Sequence, residues 1–212
     1  MTSVPPSTTT LRTLDDATRD LIRLSAAVAG SSETVVRDLL IAAADTADPL
    51  WIEEVLLQSY LFAGFPRALN GMRTWRRVSG RTPALEAEAG GDIEVWRVRG
   101  EDTCRQVYGT MYEALRRNIR ELHAELDDWM IVEGYGKVLS RPGLDLPRRE
   151  LCIVAACAAS GQDRQLHSHL HGAVNVGVAP QVVTDAIESL ASMVDAARLV
   201  STRLLWARVR GK

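Results

Sequence analysis

The run Pro147-Arg-Arg-Glu-Leu-Cys-Ile-Val-Ala-Ala-Cys-Ala-Ala-Ser-Gly-Gln-Asp-Arg-Gln-Leu-His-Ser-His-Leu-His-Gly-Ala-Val-Asn-Val-Gly-Val-Ala-Pro180 decides the fold. Leu151, Val154, Ala155 and Ala158 recur at helical spacing, and Pro147 suits the opening turn of a helix that runs to about Ser160. Ser160-Gly161 interrupts it, and a second helix follows from about Asp163 to Val174, with Asn175 and Gly177 suited to its C-terminal cap. Pro180 opens the next helix, and residues 184–209 continue as one helix or a broken pair. Working outward, Val36, Leu39, Leu40 and Ala43, and then Val55, Leu56 and Tyr60, repeat the helical period, whereas alternating β-branched segments bounded by turns are scarce. The expected fold class is all-α.

The 212 residues are 46% hydrophobic and 25% charged, the balance of a globular chain with one ordinary core or two small ones. A net charge of -2, with basic residues scattered among carboxylates, offers no footprint for nucleic acid. No segment reaches the roughly 18 apolar residues of a membrane span. Residues 1–14 lack a basic start and an apolar run, so they read as a disordered tail on a cytoplasmic protein. Cys104, Cys152 and Cys157 are odd in number and poorly spaced for a disulfide, and read as small buried apolar groups.

Internal comparison indicates a duplication. Residues 36–44 resemble 148–156 at an offset of 112, whereas residues from Ile52 to Asn70 resemble those from Val183 to Ser201 at an offset of 131, pairing Arg67 with Arg198. The offset grows by 19 residues, so the first copy is expected to lack a piece the size of the helix carrying His167, His169 and His171. The Gly-rich and Ala-rich stretch 79–91 reads as a linker between an N-terminal half at 15–78 and a C-terminal domain at 92–212.

Glu133-Gly-Tyr-Gly-Lys-Val-Leu-Ser-Arg-Pro-Gly-Leu-Asp-Leu-Pro-Arg-Arg-Glu150 and Gln165-Leu-His-Ser-His-Leu-His-Gly-Ala-Val-Asn-Val-Gly-Val178 resemble the γ-carboxymuconolactone decarboxylase family, relatives of the alkylhydroperoxidase D-type proteins. The resemblance covers about residues 92–178 and implies an alkylhydroperoxidase D-like helical bundle. Redox members of that superfamily carry a Cys-x-x-Cys pair just before the helix histidine, and here those places hold Gln162 and Gln165. Alkylhydroperoxidase or peroxiredoxin-type activity is therefore disfavoured. The family's closing segment resembles residues 54–68 of the first copy, while the second copy has drifted there. Because single-domain members pair around a dyad, a fused duplication is expected to assemble as a homotrimer.

His169 borders the apolar stripe of Leu166, Leu170 and Ala173, about 60° round the helix, while His167 and His171 lie further round the other way, toward solvent or a subunit contact. Its match to the family's helix histidine makes it the first catalytic candidate. Glu150, 19 residues earlier, occupies the place of a relay carboxylate in the redox relatives and could orient that imidazole and make it a usable acid. A glutamate early in a helix is also favoured by the helix dipole whatever its function. Arg141 offers two-pronged carboxylate recognition, and Tyr135 shares its glycine-rich segment, which equally suits a packed loop. Tyr60 and Phe65, with Phe62 between them, are candidate pocket or core aromatics in the first copy. His167 and His171 have a two-histidine metal spacing without an evident third ligand, so no metal site is expected.

The resemblance implies a cofactor-free decarboxylase, a lyase acting on a small acidic lactone or related oxo acid, in aromatic degradation. Arg141, Tyr135, Tyr60 and Phe65 would bind substrate, and His169 oriented by Glu150 would return a proton. The alternative is a non-catalytic ligand- or partner-binding protein on the same scaffold.

Overall fold

The computed structural model describes residues 10–83 and 91–211. The start of the expected tail, residues 1–9, and most of the expected linker, residues 84–90, lie outside the described residues. Within the expected tail, Leu11 is buried and forms a short parallel bridge with Val178, because Leu11 N donates to Gly177 O and Ala179 N donates to Leu11 O.

The described residues are helical, with that bridge their one extended pairing. Helix α1 spans Asp16–Gly30, α2 Glu33–Thr46, α3 Pro49–Gln58 and α4 Tyr60–Ser79. After the break come α5 at Ile93–Tyr108, a short 3-10 turn, α6 at Tyr112–Leu122 and α7 at Ala124–Trp129. A π-helical segment, Met130–Leu139, leads to α8 at Leu146–Ser160, α9 at Asp163–Asn175, α10 at Pro180–Glu188 and α11 at Ala196–Arg210. Local sequence sets these limits. Asp15, Asp145 and Asp195 each accept a hydrogen bond from a backbone N–H three residues on, and Pro49 and Pro180 occupy first turns where a missing N–H costs nothing.

At the centre, α1 and α8 run side by side in the same direction. Arg148 near the start of α8 bonds Thr18 and Asp15, Ser25 Oγ donates to Cys152 O midway, and Gly30 lies against Ala159 at the far ends. Each is flanked by its own sequence neighbour, α2 on α1 and α9 on α8. The relation extends through the chain at a nearly constant offset. Val36, Leu40 and Ala43 form the buried stripe of α2, and Leu166, Leu170 and Ala173, each 130 later, form that of α9. Arg67 donates to Val28 O and Ser31 O at the end of α1, and Arg198 does the same for Cys157 O and Ala158 O at the end of α8. Trp75 and Trp206, 131 apart, are both buried and donate to Glu53 and Thr184, themselves 131 apart. The non-helical backbone of Gly64 interrupts α4 where Asp195 caps α11.

The duplication is thus present, and its register follows the 131-residue offset of the sequence alignment, not the 112-residue one. The similarity of residues 36–44 to 148–156 pairs α2 with α8, two helices that are not counterparts. Alanine-rich and leucine-rich amphipathic turns align with one another in several registers, whereas caps and tryptophan partners fix one. No helix is missing from the first half: α2 stands where α9 stands in the second.

The segment 134–144, whose glycines equally suit a packed loop, continues as π-helix to Leu139. Its glycines permit close contact rather than a turn. A Cβ on Gly136 would fall 2.1 Å from Trp96 O, and one on Gly100 would fall 2.1 Å from Ile131 O, so α5 and the π segment cross backbone to backbone. That crossing brings the end of α5 next to the start of α8. Among the described residues, no helix is long and apolar enough to cross a membrane.

Candidate active site

Adjacent residues on α8 face opposite ways. Arg149 is fully buried and turns toward the first half, where its guanidinium donates to Glu54 Oε2 at 2.7 Å, Gln58 Oε1 at 3.1 Å and the carbonyls of Leu144 and Arg141. Burial pushes this guanidinium below its usual range, and Glu54 opposes the shift. Glu150, 0% exposed, turns toward α9, where its Oε2 lies 2.8 Å from His169 Nδ1. His169 is itself only 5% exposed, deeper than a border position on its helix suggests.

The close approach of α8, α9 and α5 depends on Gly172. A Cβ there would stand 2.5 Å from Glu150 Oε2 and 2.7 Å from Val107 Cγ1. Glycine therefore leaves the volume that the carboxylate occupies. Asn175, one turn on, donates to Val107 O and ties α9 to α5.

Aromatic rings complete the wall around the imidazole. Phe62, from the irregular start of α4, meets His169 edge-on at 5.8 Å between centroids. Tyr108, the last residue of α5, meets the rings of His169 and Tyr135 edge-on, at 6.4 Å and 6.3 Å between centroids. Burial and the nearby Glu150 charge hold both phenols above the ordinary tyrosine range. Cys104 and Cys157 feel the same carboxylate, and burial pushes each thiol up to about 12. These thiols stay protonated near neutrality and are poor nucleophiles. Glu150 Oε1 is buried without a hydrogen-bond partner among the described residues, so the couple retains one unmatched acceptor.

The structure thus brings Glu150, His169 and Tyr135 into one neighbourhood. Arg141 sits elsewhere, its guanidinium on both oxygens of Glu54, with 28% of its side chain exposed. It lines a cleft of about 680 Å³ with Arg99, Asp102, Ser140, Asp145 and Asn175. Tyr60 and Phe65 stack on each other at 4.6 Å, and Phe65 is 63% exposed. Phe62, between them in sequence, is the ring that reaches His169. His167 and His171 are half-buried and pack ring to ring at 4.9 Å; among the described residues, no group of three metal-capable side chains forms. Gln162 and Gln165 are exposed at the start of α9.

Sequence reasoning leaves Phe62 open between pocket and core, and misses Tyr108. Phe62 lies in an apolar stretch where core and pocket look alike, and only the Gly64 kink turns it inward. Tyr108 carries no periodic signal; Gly109, with φ +52°, breaks the chain just after it.

In the first repeat, the positions 130 residues before Glu150 and His169 hold Asp20 and Leu39, and Asp20 accepts from Thr46 Oγ1. Among the described residues, the buried carboxylate–imidazole couple therefore occurs in the second repeat and not in the first.

The all-α bundle, with a carboxylate on one helix holding an imidazole on the next, is consistent with an alkylhydroperoxidase D-like fold. Residues 128–208, which contain the π segment and the couple, match the carboxymuconolactone decarboxylase family. The chain is also similar to Peroxisomal protein 2 of Schizosaccharomyces pombe (strain 972 / ATCC 24843), with 29% identity over 140 residues, covering 64% of each protein. It spans, therefore, less than two thirds of that relative's length.

Proposed function

We propose that this protein is a cofactor-free decarboxylase of a small acidic lactone or related oxo acid, with His169 as proton donor and Glu150 as the group that orients it. The observation that carries this reading is the buried 2.8 Å contact between His169 Nδ1 and Glu150 Oε2. With the carboxylate ionised, Nδ1–H donates to it and Nε2 is left to exchange a proton with substrate. Enclosure by Phe62, Tyr108 and Tyr135 would exclude water from the carbanion that loss of carbon dioxide leaves. Arg141, held on Glu54 outside this enclosure, leaves the substrate carboxylate without a guanidinium beside His169. The chain would assemble as a homotrimer, its two repeats standing for the two members of a single-domain pair.

The firm hold of Glu54 on Arg141 favours, as a second reading, a protein that binds a ligand on this scaffold without turnover. A thermal-shift screen of small dicarboxylates, lactones and β-oxo acids, followed by assay of carbon dioxide release, separates the two. Release that disappears in His169→Gln supports the decarboxylase; a shifted melting temperature with no release for any binder supports the alternative.

A further inference from the structure

We propose that Tyr108 is the donor to the oxyanion in this site, with Tyr135 as its positioning residue, so that the substrate is an enolisable carbonyl acid whose carbonyl oxygen lies against the Tyr108 hydroxyl. The inference deepens the decarboxylase reading and rests on it.

Decarboxylation next to an unsaturated carbonyl puts negative charge on that carbonyl oxygen, and an enclosed site must meet the charge with a donor. The nearby guanidiniums do not face His169: Arg149 and Arg141 both direct theirs to Glu54. An ammonium or guanidinium beside Glu150 would also compete with His169 for the carboxylate. A neutral donor fits better, and Tyr108 is placed for it, with its ring against both His169 and Tyr135. A hydrogen bond between the two hydroxyls is part of the proposed arrangement, their rings meeting edge-on at 6.3 Å between centroids. Tyr135, only 4% exposed, has its hydroxyl enclosed, while Tyr108 is half-buried and borders accessible space. When Tyr135 donates to the Tyr108 oxygen, the Tyr108 proton is left to point at a ligand, and the bond behind it strengthens that donation. Both phenols are held above their ordinary range, so they remain donors throughout the neutral and mildly alkaline region.

The step consumes one proton, which solvent water supplies through His169. The bond between the α carbon and the carboxylate breaks, carbon dioxide leaves, and the electron pair passes into the enolate, whose oxygen accepts from Tyr108. The proton on His169 Nε2 then forms the new C–H bond, and the imidazole regains a proton from water.

4-Nitrophenol, whose phenolate mimics the enolate oxygen and whose ionisation is read by absorbance, tests the assignment in the full-length protein. Wild type is expected to bind nitrophenolate and to lower the pKa of the bound probe. Tyr108→Phe should weaken nitrophenolate binding by about tenfold to a hundredfold, the range for a hydrogen bond to a charged group. Tyr135→Phe should weaken it less, because the Tyr108 hydroxyl stays in place. Absence of saturable nitrophenolate binding, a raised pKa of the bound probe, or Tyr108→Phe binding within about twofold of wild type would overturn the proposal. The bound-probe pKa in wild type decides the matter even if Tyr108→Phe folds poorly. Failure of the parent reading has a different signature: intact Tyr108-dependent binding with no carbon dioxide release from any enolisable acid.

Discussion

Replacing Gly172 with alanine probes the contact on which the carboxylate–imidazole couple depends. The new Cβ would stand 2.5 Å from Glu150 Oε2 and 2.7 Å from Val107 Cγ1, so the helices must part or the carboxylate must swing by about 1 Å to reach ordinary contact. Overpacking of this kind costs about 1–3 kcal/mol. Weakening a buried hydrogen bond to a charged group adds about 1.5–3 kcal/mol, and the better helix propensity of alanine returns about 1 kcal/mol. The net loss is about 2–5 kcal/mol, which for a chain of 212 residues lowers the melting temperature by about 4–20 °C. Gly134 is the control, because a Cβ there meets nothing within 4 Å, and Gly134→Ala should melt at or slightly above wild type. Calorimetry supplies the melting temperatures, and the imidazole nitrogen resonances of His169 report whether Nδ1 keeps its partner. A Gly172→Ala protein that melts like wild type with unchanged His169 resonances would refute the argument that close helix approach holds the couple.

Once a substrate is in hand, His169→Gln should lower kcat/KM by about 10²–10⁴, the usual contribution of a general acid, while His167→Gln and His171→Gln should be mild; equal activity in all three ends the catalytic assignment. Glu54→Ala leaves the buried Arg149 without its carboxylate and should cost about 3–5 kcal/mol, seen as a shift of the urea midpoint, whereas the volume-filling pair Glu54→Leu with Arg149→Met should recover much of that loss. The folded-state pKa of each buried thiol lies above its unfolded value, so the stability this brings is complete below about pH 8.5 and is lost as pH rises toward 12, at up to about 1.4 kcal/mol per pH unit for each thiol. Cys157→Ala should flatten that alkaline decline in melts between about pH 8 and pH 10.5, and an unchanged slope would contradict it. Light scattering should give a trimer near three times the 23.3 kDa chain mass, and a clean monomer would remove that expectation.

The sequence by itself determined the helical class, the limits of α8 and α9 and the start of α10, because proline at first turns, aspartate caps and a 3.6-residue apolar period act within a few residues. It also supplied His169 and Glu150, whose 19-residue separation carries across one helix, one short turn and the next helix. The true register of the duplication was written in Trp75 and Trp206 and in Arg67 and Arg198, but apolar similarity is degenerate among amphipathic helices. Only the partners of those side chains, a carbonyl at a helix end or an acceptor for an indole N–H, show which positions are equivalent. Tertiary structure alone decided where the charges and rings point. Arg141 carries the same guanidinium whether it faces a ligand or Glu54, and the 87 residues between it and Glu54 leave no local trace of their pairing. Phe62 and Tyr108 enter the His169 site from α4 and α5, far apart in the chain, because the Gly100–Gly136 crossing and the Gly64 kink set the directions of the helices that carry them. Such contacts depend on the relative placement of elements, which no local period or cap encodes.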